Sequence, residues 1–321
     1  MPYEIIIQPA GVHFQSDRNL LDDALKQSVP LAHSCKTGDC GICTAEIISG
    51  EVENEKGIIV KSGDVLVCQS KALSNTTLKA FYHPELVGQK EQTVPCKVDS
   101  FSLVTDDVMV IRFRFPATVK FNYLPGQYVD LSFKGIKRSY SIANAKQVST
   151  GIELHIRKVL NGQMSNALFS GIKKGQLMRV EGPKGTFFIR QSKRPLILLA
   201  GGTGIAPVKA MVEELICNQD KRDIHIYWGM SLVNSFYLQE LAEISEKNSH
   251  IYYTPVLSGD GDWNGRTGFV HQAVCDDFLS MQDFQVYACG SPLMINAARA
   301  AFNIKGLSSE QFFSDAFTPA E

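Results

Sequence analysis

The spacing of apolar positions divides the chain into three stretches with different rhythms. At the start, YEIIIQP and GVHFQSD alternate apolar with polar residues and predict the two strands of a hairpin. NLLDDALKQS places Leu20, Leu21, Ala24 and Leu25 on one side of a helical repeat, which predicts a short amphipathic helix. A loop rich in cysteine and glycine follows, then the strand signals TAEIISGEV and GDVLVCQS. Residues 84–95 are polar, contain Pro84 and Pro95 and show no period, so they predict a linker.

Residues 96–194 are dense in short strand signals: PCKVDSFSLV, VMVIRFRF, QYVDLSF, RSYSIAN, ELHIRKV and LMRVEG. Gly, Pro or Asn clusters separate them, the pattern of an antiparallel β-barrel, with one helical piece, SNALFSGI, after Gly162. Residues 195–321 change rhythm. Apolar strands such as PLILLAG, DIHIYWG and FQVYACG alternate with helical runs such as APVKAMVEELI and PLMINAARAAF, predicting a doubly wound α/β domain with a parallel sheet. The expected organisation is therefore multidomain: 1–83, a linker 84–95, 96–194 and 195–321.

Composition narrows the function classes. The 321 residues carry 32 basic and 33 acidic side chains, a net charge of −1, so no global field draws the chain to nucleic acid or to a membrane surface. The N-terminus lacks the basic region and apolar core of a signal peptide. The longest nearly uncharged apolar run, 195–208, is too short and glycine-rich to span a bilayer. A cytoplasmic location is expected, where clustered cysteines bind metal or act in catalysis rather than pair as disulfides. Cys96, Cys217, Cys275 and Cys289 are scattered, and each reads first as a small buried apolar residue.

Cys35, Cys40 and Cys43, with the distant Cys68, give C-x4-C-x2-C…C, the plant-type 2Fe–2S spacing. Gly38 and Gly41 lack a Cβ that would collide with the cluster, and loop amides can then point at the sulfurs. A four-cysteine zinc site is the alternative, but such sites pair their ligands as two short knuckles and Cys68 has no neighbour of that kind.

In the central stretch, alternation puts Arg138 and Tyr140 of RSYS on one strand face and Ser141 on the other. That face offers a guanidinium for phosphate beside an aromatic plate. Gly162 and Ser165 open a helix whose free amides suit a pyrophosphate. Alone, RSYS is an ordinary half-exposed strand; both motifs in one barrel point to a flavin dinucleotide. In the last stretch, Gly201, Gly202 and Gly204 make a tight strand-to-helix turn suited to a second pyrophosphate, or else an ordinary βα turn. Cys289 ends a late parallel strand, where α/β sites form. Residues 230–240 contain no Arg or Lys to meet a 2′-phosphate, which favours NADH over NADPH. The aromatic strand FFSDAF, with Asp315 and Phe317, closes the chain and reads as edge-strand packing.

Taken together, RSYS, GQMS, GGTGIAPV, YACGSPLMI and the terminal SDAF resemble the ferredoxin–NAD(P)+ reductase superfamily, in the variant with a plant-type ferredoxin placed first. YHPEL, PCKVDS, RSYSIANA, GPKGTFF, IHIYWGM, GFVHQAV and FFSDAF are similar to the CDP-6-deoxy-Δ3,4-glucoseen reductases over essentially the full length. The resemblance implies an α+β β-grasp ferredoxin domain, a β-barrel flavin domain and an α/β nucleotide-binding domain. It implies that Cys35, Cys40, Cys43 and Cys68 hold the cluster, and that Arg138, Ser139, Tyr140 and Ser141 serve FAD, with Ser141 near the flavin N5. It further implies Gly162 and Ser165 at the FAD pyrophosphate, and Gly201, Gly202, Thr203, Gly204 and Pro207 at NADH. Cys289 and Gly290 fall beside the nicotinamide. Asp315 takes the place of a glutamate, and Phe317 that of a terminal tyrosine over the isoalloxazine.

The implied reaction follows from electron counts. NADH gives up a hydride, a 2Fe–2S cluster accepts single electrons, and a flavin converts between the two. Residues 1–83 hold ten acidic and seven basic side chains, which suits a slightly acidic face for a partner protein. The expected partner is a pyridoxamine-phosphate (PMP)-dependent dehydrase of 3,6-dideoxyhexose synthesis. The alternative is an oxygenase component of a multicomponent aromatic-ring or hydrocarbon oxygenase. A ferredoxin carrier or redox sensor without turnover is the reading from a different class.

Overall fold

The hairpin forms as the alternation predicts: Tyr3–Gln8 pairs antiparallel with Val12–Ser16, burying Ile5 and Ile7. This computed structural model describes residues 2–33, 36–38, 41–259 and 262–317. It contains two units, Met1–Lys90 and Glu91–Glu321.

In the first unit a five-stranded sheet runs in the order Val12–Ser16, Tyr3–Gln8, Thr76–Lys79, Thr44–Ser49, Gly63–Leu66. The one parallel pair joins Tyr3–Gln8 to Thr76–Lys79. The helix Leu20–Lys26 lays Leu20, Leu21 and Ala24 into a core with Ile5, Ile7, Val65 and Leu78. Its N-cap Asn19 accepts the Asp22 amide at 3.0 Å and donates through its own amide to the Cys68 carbonyl at 2.7 Å. Helix capping and the position of Cys68 therefore share one side chain.

The second unit begins with a six-stranded antiparallel sheet. Its order is Ile136–Ser141, Tyr128–Phe133, Leu177–Lys184, Gln92–Leu103, Val108–Arg114, Ile152–Arg157. A bridge from Ile142 to Leu154 brings its two outer strands together and nearly closes a barrel. Val98, Ile111, Phe113, Leu131, Leu154 and Val180 fill the inside. The strand Gln92–Leu103 starts within the stretch 84–95 that reads as linker. Val94 is buried in the barrel with Cys96 and Val98, an alternation that Pro95 interrupts in the sequence.

The remainder is a six-stranded parallel sheet ordered Arg266–Thr267, Ile251–Leu257, Ile224–Met230, Leu196–Gly201, Gln285–Gly290, Phe312–Ala316. Leu196, Leu198 and Ala200 pack with Val208, Met211 and Val212 of the helix Ile205–Cys217. Ile197 and Leu199 point the other way, onto the helices Val270–Asp277 and Pro292–Ile304. The strands are apolar on both faces because both faces are covered. From Leu196–Gly201 the chain builds outward, then returns to add Gln285–Gly290 on the opposite side. The reversal opens a crevice at the carboxyl ends of these two strands, where ligands bind in such sheets. Among the described residues no helix is long and apolar enough to cross a membrane.

Candidate functional site

At the crevice two strand ends meet. Ala200 pairs with Cys289, and the chain turns through Gly202–Gly204 directly into the helix Ile205–Cys217. Gly202 has φ +58°, a region that side chains with a Cβ rarely adopt. A Cβ on Gly204 would stand 2.3 Å from the Cys289 carbonyl oxygen, and one on Gly201 2.6 Å from Met294 Sδ. The turn thus lies flat against the neighbouring strand end, with Thr203 half-buried beside it. Pro207 falls in the first turn of the helix, where a missing N–H costs no helical hydrogen bond. These features set a glycine turn at a helix N-terminus, the setting that suits a phosphate.

The edge strand completes the crevice. Cys289 lies opposite Asp315, Gly290 lies opposite Ala316, and the Phe317 amide donates to the Gly290 carbonyl at 2.9 Å. The Phe317 ring is partly buried against the nucleotide-domain core. Cys289 is fully buried, and burial, helped by the charge of Asp315, pushes its thiol well above the usual range. Asp315 keeps some exposed surface as a residue, but protein atoms crowd its carboxyl. That burial raises its pKa to about 7, and the Ser141 hydroxyl pulls in the opposite direction.

Ser141 belongs to the barrel. Its strand alternates: Arg138 and Tyr140 are half-buried, Ser139 is exposed, and Ser141 is buried. The Ser141 hydroxyl is sunk and faces Asp315 closely enough to lower its carboxyl, but makes no well-aligned hydrogen bond among the described residues. Such an orphan implies a group that the protein itself does not supply. The exposed Ser139 hydroxyl donates to Asp130 on the neighbouring strand at 2.6 Å. Arg138 donates to the Lys137 carbonyl at 2.8 Å. Burial pushes the Tyr140 phenol up to about 12, against the opposing charge of Arg138.

Gly162 and Ser165 are brought together, in a particular way. The Ser165 hydroxyl accepts the Val159 amide at 3.1 Å and donates to the Gly162 carbonyl at 3.1 Å. A Cβ on Gly162 would meet that hydroxyl at 2.7 Å. Serine and glycine here shape the turn that begins the helix Gln163–Phe169.

In the first unit the sulfurs of Cys43 and Cys68 stand 3.0 Å apart and buried. Cys35 and Cys40 lie outside the described residues. Gly38 and Gly41 have φ of +92° and +68°, so the loop needs glycine for its backbone path. Gln69 donates to the Lys36 carbonyl at 2.8 Å and ties the loop to the strand side of Cys68.

Two features escape a reading of the sequence. Arg157 Nη1 would lie 3.3 Å from a Cβ at Gly202, so a guanidinium paired with Asp107 at 2.7 Å sits at the glycine turn. A buried polar cluster also joins the barrel to the nucleotide-binding half. Glu153 meets Arg112 at 2.7 Å, His155 at 3.0 Å and Lys209 at 3.2 Å, and Lys209 also meets Glu213. The signal for it was Lys209, a lysine set among the apolar residues of IAPVKAMVEELI.

The orphaned Ser141 hydroxyl, the glycine cradle and the convergent thiols fit a flavin, a dinucleotide and an iron–sulfur cluster respectively. Comparison with known proteins agrees. The 2Fe-2S iron-sulfur cluster binding domain family matches residues 5–73, the oxidoreductase FAD-binding domain family 95–189, and the oxidoreductase NAD-binding domain family 198–300. The chain is 51% identical to Protein RfbI of Salmonella typhimurium, covering 99% of this chain and 97% of that protein. It is 47% identical to the CDP-6-deoxy-L-threo-D-glycero-4-hexulose-3-dehydrase reductase of Yersinia pseudotuberculosis, over 100% of both. Among solved structures, the cytochrome P450 reductase GcoB of Amycolatopsis aligns with a TM-score of 0.79 at 27% identity, covering 99% of this chain and 100% of that one.

Proposed function

The chain belongs to the CDP-6-deoxy-hexulose-3-dehydrase reductases, NADH-dependent oxidoreductases with 2Fe–2S, FAD- and NAD-binding domains, and on that premise we propose that it reduces a PMP-dependent dehydrase acting on a CDP-linked 4-keto-6-deoxyhexose. The observation that carries the partner is the 47% identity, over both full lengths, with a reductase named for such a dehydrase. The P450 reductase shares the architecture at only 27% identity, which supports a common electron path rather than a common partner.

FAD, when bound, takes two electrons as a hydride and releases them singly, the form a 2Fe–2S cluster accepts. In this reading Arg138 and Tyr140 bind the flavin on their strand face. The Ser141 hydroxyl meets the reacting edge, and Asp315 holds or releases a proton through it. Gly162 and Ser165 shape the turn at the FAD pyrophosphate. Gly201, Gly202, Thr203, Gly204 and Pro207 bind the NADH pyrophosphate and ribose, Cys289 and Gly290 flank the nicotinamide, and Phe317 covers the flavin. Cys35, Cys40, Cys43 and Cys68 hold the two irons. The assignment carries with it a β-grasp first domain at 1–83, a flavin barrel at 96–194, a doubly wound domain at 195–321 and a cytoplasmic location.

The test is reconstitution of the purified chain with a purified PMP-dependent dehydrase and its CDP-4-keto-6-deoxyglucose substrate. NADH-dependent loss of the 3-hydroxyl is expected. Ferricyanide reduction by NADH without any deoxygenated sugar would sink the proposed partner while leaving the reductase chemistry standing.

A further inference from the structure

The glycine turn is held from behind by the barrel. Trp228, fully buried on the strand beside Leu196–Gly201, donates its indole N–H to the Gly202 carbonyl at 2.9 Å. Phe236 and Tyr237 pin the indole, each with ring centroids 5.2 Å away and rings nearly perpendicular to it. The Tyr237 hydroxyl lies 3.0 Å from His155 Nδ1, on the barrel strand Ile152–Arg157. The two rings meet edge-on at 5.4 Å. Contacts therefore run unbroken from a barrel histidine to the turn.

Protonation within the chain follows from its neighbours. Burial alone would raise the Glu153 carboxyl, but His155, Lys209 and Arg112 together bring it down to about 2. An ionised carboxylate only accepts hydrogen bonds, so His155 Nε2, 3.0 Å from Glu153 Oε1, carries a proton. Burial keeps the imidazole neutral despite the carboxylate beside it, which leaves a lone pair on Nδ1. Tyr237 is then the donor to Nδ1, and the direction of every bond in the series is fixed. Lys209 grips the same Glu153 from the helix that begins at the glycine turn, at 3.2 Å.

We propose that Tyr237 and His155 are positioning residues for hydride transfer: through Trp228 they fix the Gly202 carbonyl, and with it the turn, relative to the barrel that carries the flavin. The proposal rests on the reading of 201–204 as the NADH pyrophosphate turn. A misplacement of about 1 Å at a reacting centre costs up to roughly 100-fold in rate. Loss of one hydrogen bond at two removes from the turn should cost less, about tenfold.

The experiment uses the full chain loaded with FAD and cluster. Tyr237→Phe keeps the ring against Trp228 and removes only the hydroxyl. Three quantities are measured: the rate of flavin bleaching on anaerobic mixing with saturating NADH, the NAD+ dissociation constant by equilibrium dialysis, and the thermal midpoint. The first is expected to fall about tenfold, with the dissociation constant within about threefold and the midpoint within a few degrees of the parent. Trp228→Phe should slow the same step, and the double variant should be no slower than the slower single one, because both act through one path. Bleaching by Tyr237→Phe within twofold of the parent overturns the proposal. So does slowing matched by an equal loss of NAD+ affinity, or slowing in the double variant equal to the product of the single effects. Gly202→Val tests the underlying reading separately: unchanged NAD+ affinity there removes the nucleotide turn itself, whatever Tyr237 does.

Discussion

Cys289 and Asp315 face one another in register on neighbouring parallel strands, at the carboxyl end of the sheet. The pairing places a buried thiol and a buried carboxyl side by side, and each is held toward its neutral form by the same lack of water. The Ser141 hydroxyl approaches that carboxyl from the barrel. Both halves of the second unit therefore bring side chains to this point.

Asp315 predicts a pH signature. Its carboxyl has a pKa of about 7 in the folded chain against 3.8 for the free group. The folded state retains a proton that the unfolded state releases, so this group's contribution is greatest below about pH 4 and declines as pH rises to about 7. Asp315→Asn lacks that decline. Its stability relative to the parent should grow between pH 4 and 7 and level off above, by at most about 4 kcal/mol. Thermal midpoints at pH 5 and pH 8 measure this, and an offset of equal size at both would contradict the assignment.

The Glu153–Lys209 pair has the opposite sign. Glu153 titrates near 2 when folded, so its contribution is present above about pH 4.5 and fades as pH falls toward 2. Lys209→Met leaves a buried carboxylate short of one cation and should cost about 3 kcal/mol near pH 7, with the loss shrinking in acid. Chemical denaturation at pH 7 and pH 4 gives both values. An unchanged midpoint at pH 7 would show that Arg112 and His155 suffice.

Gly204→Ala tests the close approach of turn and strand. The added Cβ must displace the Cys289 carbonyl, a backbone atom that cannot swing aside. A loss of about 1–3 kcal/mol in stability is expected. The KM for NADH should rise tenfold or more. A variant with parental KM would mean that the turn can move without touching the nucleotide.

How much of this was legible in the sequence depended on the range of the interaction. The cysteine spacing, the glycine turn and the alternation at Arg138, Tyr140 and Ser141 are local patterns; among the described residues Cys43 and Cys68 lie 3.0 Å apart, the chain turns at Gly202–Gly204, and Ser141 is buried at the end of its strand. Ser139 shares the strand face of Ser141, and its contact with Asp130 is a cross-strand pairing that four consecutive letters do not display. Glu153, His155, Lys209 and Tyr237 were invisible as a group. Glu153 and His155 share one barrel strand, but Lys209 and Tyr237 lie on other elements, and only the packing of barrel against sheet brings the four together. The strand beginning at Gln92 was hidden because a boundary drawn at Pro95 cuts its buried alternation of Val94, Cys96 and Val98 after the first residue.

The proposed cluster ligands make a simple prediction. Cys68→Ser, which removes one of two sulfurs 3.0 Å apart, should lower bound iron to well below two atoms per chain. NADH-dependent ferricyanide reduction should stay within about twofold, since the nucleotide and flavin residues lie in the other unit. Transfer to the dehydrase should be abolished. Full iron content in the variant would exclude Cys68 as a ligand.

The electron path is tested most directly by anaerobic titration of the loaded chain with NADH, followed by visible absorption and electron paramagnetic resonance. The account predicts loss of the flavin absorption together with the rhombic signal of a reduced 2Fe–2S cluster, both developing as NADH is added. Flavin bleaching with no cluster signal, or neither change at all, would contradict it.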